Sequence, residues 1–447
     1  MSAVVEPGEH YRVDFERLRG ELPGARVPWV RHRREAALAR FAEHGFPTTR
    51  DEAWKYTDAG AITRRAFAPA LVAALVPVPG ALEPFRIEGL DCHRLVFLDG
   101  HLAPELSDVG TLPPGVVVGS LARTLEETPD SVEDRLGCYA GDEDNGFAAL
   151  NTAFMSDGIY LHLPPGATLD RPVHVLHLST GAGDGAVVHP RNLVVAEAGA
   201  RAVLIETYAG LHEAACLTNV QTEVLLGEDA RVEHYKLQQE GGKTFHIANT
   251  GVYLPARARY RSHVIDAGGR LVRNEIRVRL DGAGSECVLN GLYLLGARQH
   301  VDNHTVIDHL APEGTSREYY KGVLEGHARS VFSGKVIVHP GAQRTDALQT
   351  NHNLLLSENA EADIRPQLEI YADDVKCAHG ATVGRLDPDA LYYLKSRAID
   401  EDAARSLLIY AFANDVLARL PLEPVRAYLE RTLTARLLHG RKAGELL

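Results

Sequence analysis

The sequence predicts a mainly β chain: a parallel β-helix core flanked by N-terminal and C-terminal α-helical segments. Three observations carry that prediction. From Gly158 to about Gly384, short runs rich in Val, Ile, Leu, Tyr and Thr alternate with Gly, Ala, Asp and Asn turns, a strand-and-turn texture. Within it, GARAVLIETY at Gly199, EDARVEHYKL at Glu228, ARARYRSHVI at Ala256 and GSECVLNGLY at Gly284 form a weak repeat, with a spacing of roughly 26–30 residues that suits a solenoid. No helical stretch separates the strands, which excludes βαβ layering. A double-sheet jelly roll is the other all-β fold that remains; the fixed period favours the β-helix. Each turn of such a core is buried by its neighbours, so its ends need caps, and the helical segments at both ends of the chain are expected to supply them.

Three regions follow in order: 1–90, a helical segment and linker; 91–386, the β-helix core; 387–447, a C-terminal helical segment. In the first, Arg31 to Glu43 mixes helix formers with an apolar face at Ala36, Ala37, Leu38 and Phe41, and Gly45 and Pro47 end it. Thr49 and Glu52 have the spacing of a capping box, which predicts a second short helix. Trp54, Lys55 and Tyr56 then read either as a binding patch or as an aromatic anchor for the helical arm, and the anchor is favoured. Residues 61–90, rich in Ala, Pro and Val, read as a linker. Between 92 and 150 the sequence suggests a strand at His93 to Leu98 and a helix near Ser120 to Glu127. The acidic run Gly141 to Gly146 lacks the spaced oxygen ligands and closing Glu of a calcium loop, so it reads as a solvated turn. Asn151 to Met155 leads into a strand.

After Gly384 the pattern turns helical. Asp387-Pro388 supplies an N-cap and a first-turn proline. Asp400-Glu401-Asp402 places negative charge at the start of a second helix, with an apolar stripe at Ala404, Leu407, Leu408, Ala411, Phe412 and Val416. Pro421 breaks it. Leu422, Val425, Leu429, Leu433 and Leu437 then mark a third helix. These helices could cap the solenoid or dock a partner.

Composition narrows the function. The 447-residue chain carries a formal net charge of -13, which disfavours nucleic acid and anionic membrane surfaces. Its N-terminus lacks the apolar run of a secretory signal, and no stretch is long and apolar enough to predict a transmembrane helix. The cysteines, Cys92, Cys138, Cys216, Cys287 and Cys377, are odd in number, far apart and without a CxxC pair. A disulfide framework and a self-contained zinc or cluster site are therefore not expected, and a reducing cytoplasm fits best. Walker A, GxGxxG and GxSxG motifs are missing, so those routes to nucleotide binding or acyl transfer are excluded.

Two stretches could carry chemistry. In QHVDNHTVIDH, His300, Asp302 and His304 alternate by two, so on a strand they share a face and could bind a divalent metal. A merely polar outer face gives the same pattern. In Leu368 to Gly384, LEIYADDVKCAHGATVG, Cys377 and His379 also share a face if extended. Thiolate and imidazole suit zinc, iron or copper, but two ligands do not fill a four-coordinate site. Either Cys377 is a structural cysteine, or another chain completes the site. As nucleophile and base the two would stand ~6–7 Å apart along the strand, far for such a pair unless the turn bends them together.

The block from Asp302 to Asp400, DNHTVIDHLAPEGTSREYYKGVLEG through to LKSRAID, resembles the core of the SufB/SufD family of the SUF iron–sulfur cluster assembly system. GFPTTRDEAWKYTD, from Gly45 to Asp58, is similar to the SufD branch of that family. The chain departs from the family pattern at Ala378, where Ser is expected, and at Ala398, where Gly is expected. Residues 60–160 carry little of the likeness. The resemblance implies a right-handed parallel β-helix and a non-catalytic scaffold subunit. It implies pairing with SufB and docking of the ABC-type ATPase SufC on the C-terminal helices, through Leu407, Leu408, Ala411, Phe412, Leu429 and Leu433. It also implies that Cys377 and His379 face SufB, which would supply the missing ligands for a transient iron–sulfur cluster; no cofactor is held alone. A homodimer in the absence of SufB is compatible with this. Two rivals stand beside it: a stand-alone metal-dependent β-helix or cupin-like enzyme using His300, Asp302 and His304, and a purely structural partner with no ligand of its own.

Overall fold

The computed structural model describes residues 8–70, 80–139, 141, 145–181 and 184–439. Its core is a parallel β-solenoid of about eight turns, flanked by helices. The chain alternates between two sheets, half a turn in each. The first sheet runs from Val117–Ser120 through Ile159–Leu163, Arg191–Ala196, Leu217–Leu226, Phe245–Leu254, Leu271–Leu280, His300–His309 and Arg329–Val338 to Glu361–Ile370. The second runs from His101–Leu102 through His93–Leu98, Val173–Ser179, Arg201–Gly210, Arg231–Gln239, Arg259–Asp266, Glu286–Leu295, Thr315–Leu324 and Asp346–Leu355 to Lys376–Gly384.

The four repeats read from the sequence are successive strands of the second sheet. Arg201 pairs with Arg231, Arg231 with Arg259, and Arg259 with Glu286; the same column continues through Thr315 and Asp346 to Lys376. One corner of each turn is built alike. Asp229, Arg257, Glu313 and Arg344 take left-handed backbone, with φ of 59, 57, 63 and 60°. For residues with a Cβ this costs about 1–2 kcal/mol each. Stacking offsets it: the Asp229 N–H donates to Ala256 O, Arg257 to Ala283 O, Glu313 to Gln343 O and Arg344 to Asp374 O. Each corner N–H thus satisfies the next one's carbonyl, although the corner residues themselves are exposed.

Period-2 alternation sends one face of every strand inward. The interior is an apolar column that includes Phe97, Leu161, Val194, Leu204, Val252, Leu289, Tyr320 and Val336, all buried. The outer faces carry the helices. Glu9–Leu18, Pro28–His44 and Gly146–Phe154 lie against the first sheet, with Tyr11, Phe15, Phe41, Phe147 and Phe154 over Leu217, Phe245, Ile247 and Leu271. Glu401–Leu417 and Glu423–His439 lie against the second sheet, with Ile409, Val416, Val425 and Leu429 over Tyr235, Ile265, Leu292 and Val323.

That placement corrects the expected capping: the terminal helices cover the flanks of the solenoid, not its ends. At the N-terminal end, closure comes from strand reversal. Val117–Ser120 pairs antiparallel with Ile159–Leu163, and His101–Leu102 with His93–Leu98. At the other end Glu361–Ile370 and Lys376–Gly384 are the last strands of their sheets, and no residue in either is buried.

Several local readings also change. Thr49 and Glu52 do not form a capping box. Asp51 instead accepts the Thr48 N–H at 2.6 Å, ahead of a single 3-10 turn, Glu52–Trp54. Asn151 lies in the wholly buried helix Gly146–Phe154, capped by Asn145. A glycine is required at its start, because a Cβ on Gly146 would sit 2.1 Å from Gly45 O. Residues 142–144 of the acidic run, 71–79 of the linker and the side chain of Leu437 lie outside the described residues. The strand His93–Leu98, the helix Leu121–Glu127, the helix starts at Asp387-Pro388 and Asp400 and the break at Pro421 fall where the sequence suggests.

Candidate functional site at the open end of the solenoid

The strand Lys376–Gly384 places Cys377 and His379 on its inward face, two residues apart. Cys377 is half-buried and packs on the apolar interior; His379 is exposed. Register shows what lies beneath them. Cys377 stacks on Ala347, Ser316 and Cys287, and His379 on Gln349, Glu318 and Leu289. The pair is therefore the rim of the solenoid's interior, reachable because no further turn among the described residues covers it.

Burial pushes the Cys377 thiol up, and the nearby Asp346 carboxylate adds to the effect, while a backbone hydrogen bond at Ala347 opposes it. The thiol is protonated at neutral pH until a cation or a partner's charge favours the thiolate. Among the described residues, no group of three or more His, Cys, Asp and Glu could hold a metal ion. Two donors on one rim thus leave at least two positions of a tetrahedral ion for another molecule.

The second candidate has a different fate. Asp302 is 1% exposed and bonds three ways: to the Arg273 guanidinium, to Thr57 Oγ1 at 2.6 Å and to His304 Nε2 at 3.0 Å. His300 Nε2 lies 3.0 Å from the same Thr57 hydroxyl. Burial alone would raise the Asp302 carboxyl, but Arg273 and His304 outweigh it and hold it far below the usual range. Desolvation lowers His300. The structure does bring His300, Asp302 and His304 together, yet the cation at their centre is Arg273. Its guanidinium stands 4.0 Å from the Trp54 ring, which stacks on Phe147 at 5.4 Å. This cluster is the seat of the N-terminal arm, and Trp54 is the anchor expected from sequence. It does not support the rival metal enzyme.

The C-terminal helices divide into two faces. Leu429 and Leu433 are 4% and 2% exposed, buried against the second sheet. Leu408 and Phe412 are half-buried; Leu407 and Ala411 are exposed. The hairpin is bolted to Thr315–Leu324: Lys321 Nζ pairs with Asp415 at 2.8 Å and stands 4.3 Å from the Phe412 ring, and Arg419 stacks on Tyr319 at 3.8 Å. The large apolar side chains exposed in the described residues, Val13 and Val117 apart, all fall between Leu348 and Leu407. Ile370, Tyr371 and Val383 belong to the open end, and Tyr392 and Tyr393 to the next helix, Pro388–Ser396.

Sequence reasoning did not single out Gln349 and Glu318, which lie directly beneath His379. Extending the repeat register through TSREYYKGVL and DALQTNHNLL would have placed them there.

Comparison with known proteins agrees with this architecture. The model described as SUF system FeS cluster assembly, SufBD core domain, matches residues 177–412, and the SufBD protein N-terminal region matches 7–175. An iron–sulfur cluster assembly SufBD family protein of Synechocystis is 32% identical over 413 residues, 91% of this chain and 90% of the relative. Iron–sulfur cluster assembly protein SufD of Escherichia coli is 30% identical over 411 residues, 91% of this chain and 92% of the relative. SufD of Bacillus subtilis is 28% identical over 336 residues, 73% and 74% of the two chains.

Proposed function

The chain belongs to the SufBD family of SUF-system iron–sulfur cluster assembly proteins, and from that premise we propose that it is a scaffold subunit contributing half of a cluster-assembly site. The carrying observation is the open end: an uncovered pair of strand edges bearing Cys377 and His379, too few donors for an ion alone. A second solenoid end from SufB is the complement, meeting the exposed Ile370, Tyr371 and Val383 and supplying the remaining ligands. Iron and sulfur are cargo here, held transiently between the chains, and His379 is the stronger ligand because it is exposed while the Cys377 thiol is pushed up.

Energy arrives from outside, since the chain has no nucleotide motif. SufC would dock on the outward face of Glu401–Leu417, where Leu407 and Ala411 are exposed. Asp415 and Phe412, with Arg419 just past its end, bolt that helix to Thr315–Leu324, two strands below the edge. A pull on the helix is thus carried by ion pairs and stacking toward the rim, which gives the ATPase a mechanical route to it. The chain itself catalyses no step in this reading, and assembly takes place in the cytoplasm.

The test is co-expression with SufB and SufC, purification, and measurement of the proteins and iron recovered, alongside cluster supply in a cell that depends on this pathway. His379→Ala should leave the complex intact and abolish cluster supply. Normal supply with an intact complex would leave only a structural role. Retained SufC after deletion of 400–447 would overturn the helix assignment. Stoichiometric, tightly bound metal on the isolated chain would overturn the shared site.

A further inference from the structure

The column beneath His379 contains a buried carboxyl with no cation among the described residues to answer it. Glu318 is 2% exposed and Gln349 1% exposed. Gln349 Nε2 donates to Glu318 Oε2 at 2.5 Å. The other oxygen of each side chain, Glu318 Oε1 and Gln349 Oε1, is buried without a hydrogen-bond partner. Such orphan atoms are rare in folded proteins and call for an explanation.

The opposite sheet leaves space for this arrangement. Gly334 faces Gln349 across the interior, and a Cβ there would come within 1.9 Å of Gln349 Nε2. The titratable neighbours are Cys287 and Tyr320, both buried and both pushed up in part by the Glu318 charge. His309, bonded to Ser316 Oγ at 2.9 Å, is held neutral by its own desolvation. None of these offers positive charge, so burial pushes Glu318 up to about 7, opposed only by the nearby Thr305 hydroxyl and the Gln349 N–H.

Gln349 stands between this carboxyl and His379, paired in register with both strands. When Glu318 is ionised it accepts and cannot donate. The Gln349 amide must then turn its N–H to Glu318, as it does in the structure, which leaves its carbonyl oxygen a free, unpartnered acceptor one strand beneath His379. When Glu318 is protonated, it can donate to that carbonyl, and the amide is no longer committed. A ring N–H held by an acceptor makes the other imidazole nitrogen the better ligand and nucleophile.

We propose that Gln349 is the positioning residue for His379, and that the charge of Glu318 sets which way Gln349 points, so that a carboxyl inside the solenoid tunes the imidazole on its rim. The inference rests on the edge site above and deepens it. Ligand quality at His379 then follows the charge of Glu318, although neither Glu318 nor Gln349 touches the cargo.

The test uses the full chain without partner or metal. Diethyl pyrocarbonate modifies the neutral imidazole, and mass spectrometry of the peptide carrying His379 gives its rate across pH 5.5–9. The ratio of wild-type to Glu318→Gln rates should rise from one at low pH to about three at high pH, the size expected for a charge some 10 Å away acting through an oriented amide. The midpoint of that rise belongs to Glu318 and should fall at about 7. Gln349→Leu should match Glu318→Gln, because it removes the N–H that holds the carboxylate and the carbonyl that holds the ring. Gln349→Met carries the same test if the leucine variant does not fold. A ratio of one at all pH values overturns the proposal. So does a slow Glu318→Gln rate beside a wild-type Gln349→Leu rate, which would make the effect a bare charge acting through space. These readings involve no cluster chemistry, so they fail or succeed separately from the His379→Ala experiment.

Discussion

The two ends of the solenoid are made from the same repeat and finish in opposite ways. At the N-terminal end each sheet reverses direction, so a short antiparallel strand satisfies the edge, and the residues there, such as Phe97 and Leu161, are wholly buried. At the other end both sheets stop on parallel strands with no residue buried. A bare strand edge is a template for pairing, and proteins that are meant to stay single protect it. This chain protects one end and leaves the other open, with Ile370, Tyr371 and Val383 exposed there. The difference is one of finish: one end pairs its last strands with reversed ones, and the other leaves its last strands without a buried residue.

The largest test of that contrast is a pair of core truncations. Phe97→Ala, near the closed end, removes a fully buried ring and should cost about 3–5 kcal/mol. Ile364→Ala, on the inward face of the last strand and only half-buried, should cost far less. Chemical denaturation of both variants decides it. Equal losses would mean that the last turn is as firmly held as the first. Addition of a pairing partner should then raise the cost at Ile364 and leave Phe97 unchanged.

Next in size is the seat of the arm, two strands below the edge of the first sheet. Asp302→Asn takes from the buried Arg273 guanidinium its direct partner, leaving only Glu275 at 3.7 Å, and should destabilise by about 3 kcal/mol. The sign with pH follows from a depressed carboxyl. Its stabilisation is fully present above the unfolded value of about 3.9. It is lost as pH falls through the much lower folded value. Wild type and variant should therefore differ at neutral pH and converge only in strong acid.

Glu318 predicts the opposite slope. Its folded value is raised to about 7, so between about 4.3 and 7 the unfolded chain binds fewer protons than the folded one. Stability contributed by this group is full below about pH 4, falls as pH rises, and levels off above 7. Glu318→Gln removes that slope and should be more stable than wild type at pH 8 by up to about 3 kcal/mol. Thermal melts at pH 5 and pH 8 measure it. A variant less stable than wild type at pH 8 would mean that a bound cation or water answers the carboxylate.

How far the sequence carried the reading depends on the kind of signal. The solenoid was legible because stacking turns impose one register, and the positions equivalent to Arg201 recur down the second sheet. Caps at Asp387 and Asp400 were legible because the signal is local, a side chain accepting from an N–H two or three residues on. The placement of the helices was not, since an apolar stripe says that a helix is covered and not by what. Leu429 and Leu433 illustrate it: the same spacing serves a partner or the chain's own sheet. Nor could spacing distinguish His300, Asp302 and His304 as a metal site from a seat for Thr57 and Trp54, because the deciding group, Arg273, sits on a neighbouring strand. Cys377 and His379 were visible as a pair too small to bind alone, and the fold adds that they stand on a rim.

The smallest effect concerns how an uncapped end stays ordered. Arg365, on the outer face of the last strand of the first sheet, pairs with Glu52 and lies 5.5 Å from the Tyr56 ring. Both partners belong to the arm that Trp54 and Thr57 anchor nearby. The arm therefore reaches past its seat and holds the open edge from the side, through Glu52 and Tyr56. An exposed pair of this kind adds little to global stability, so Arg365→Ala should leave the denaturation midpoint where it is. Its effect should appear as local opening: faster hydrogen exchange along Glu361–Ile370, with no change in Arg329–Val338, the strand beneath. Exchange that rises equally in both strands would assign Arg365 to the fold as a whole. Exchange that rises in neither would leave the last strand's order to its pairing with Arg329–Val338 alone, and the arm's contact with it incidental.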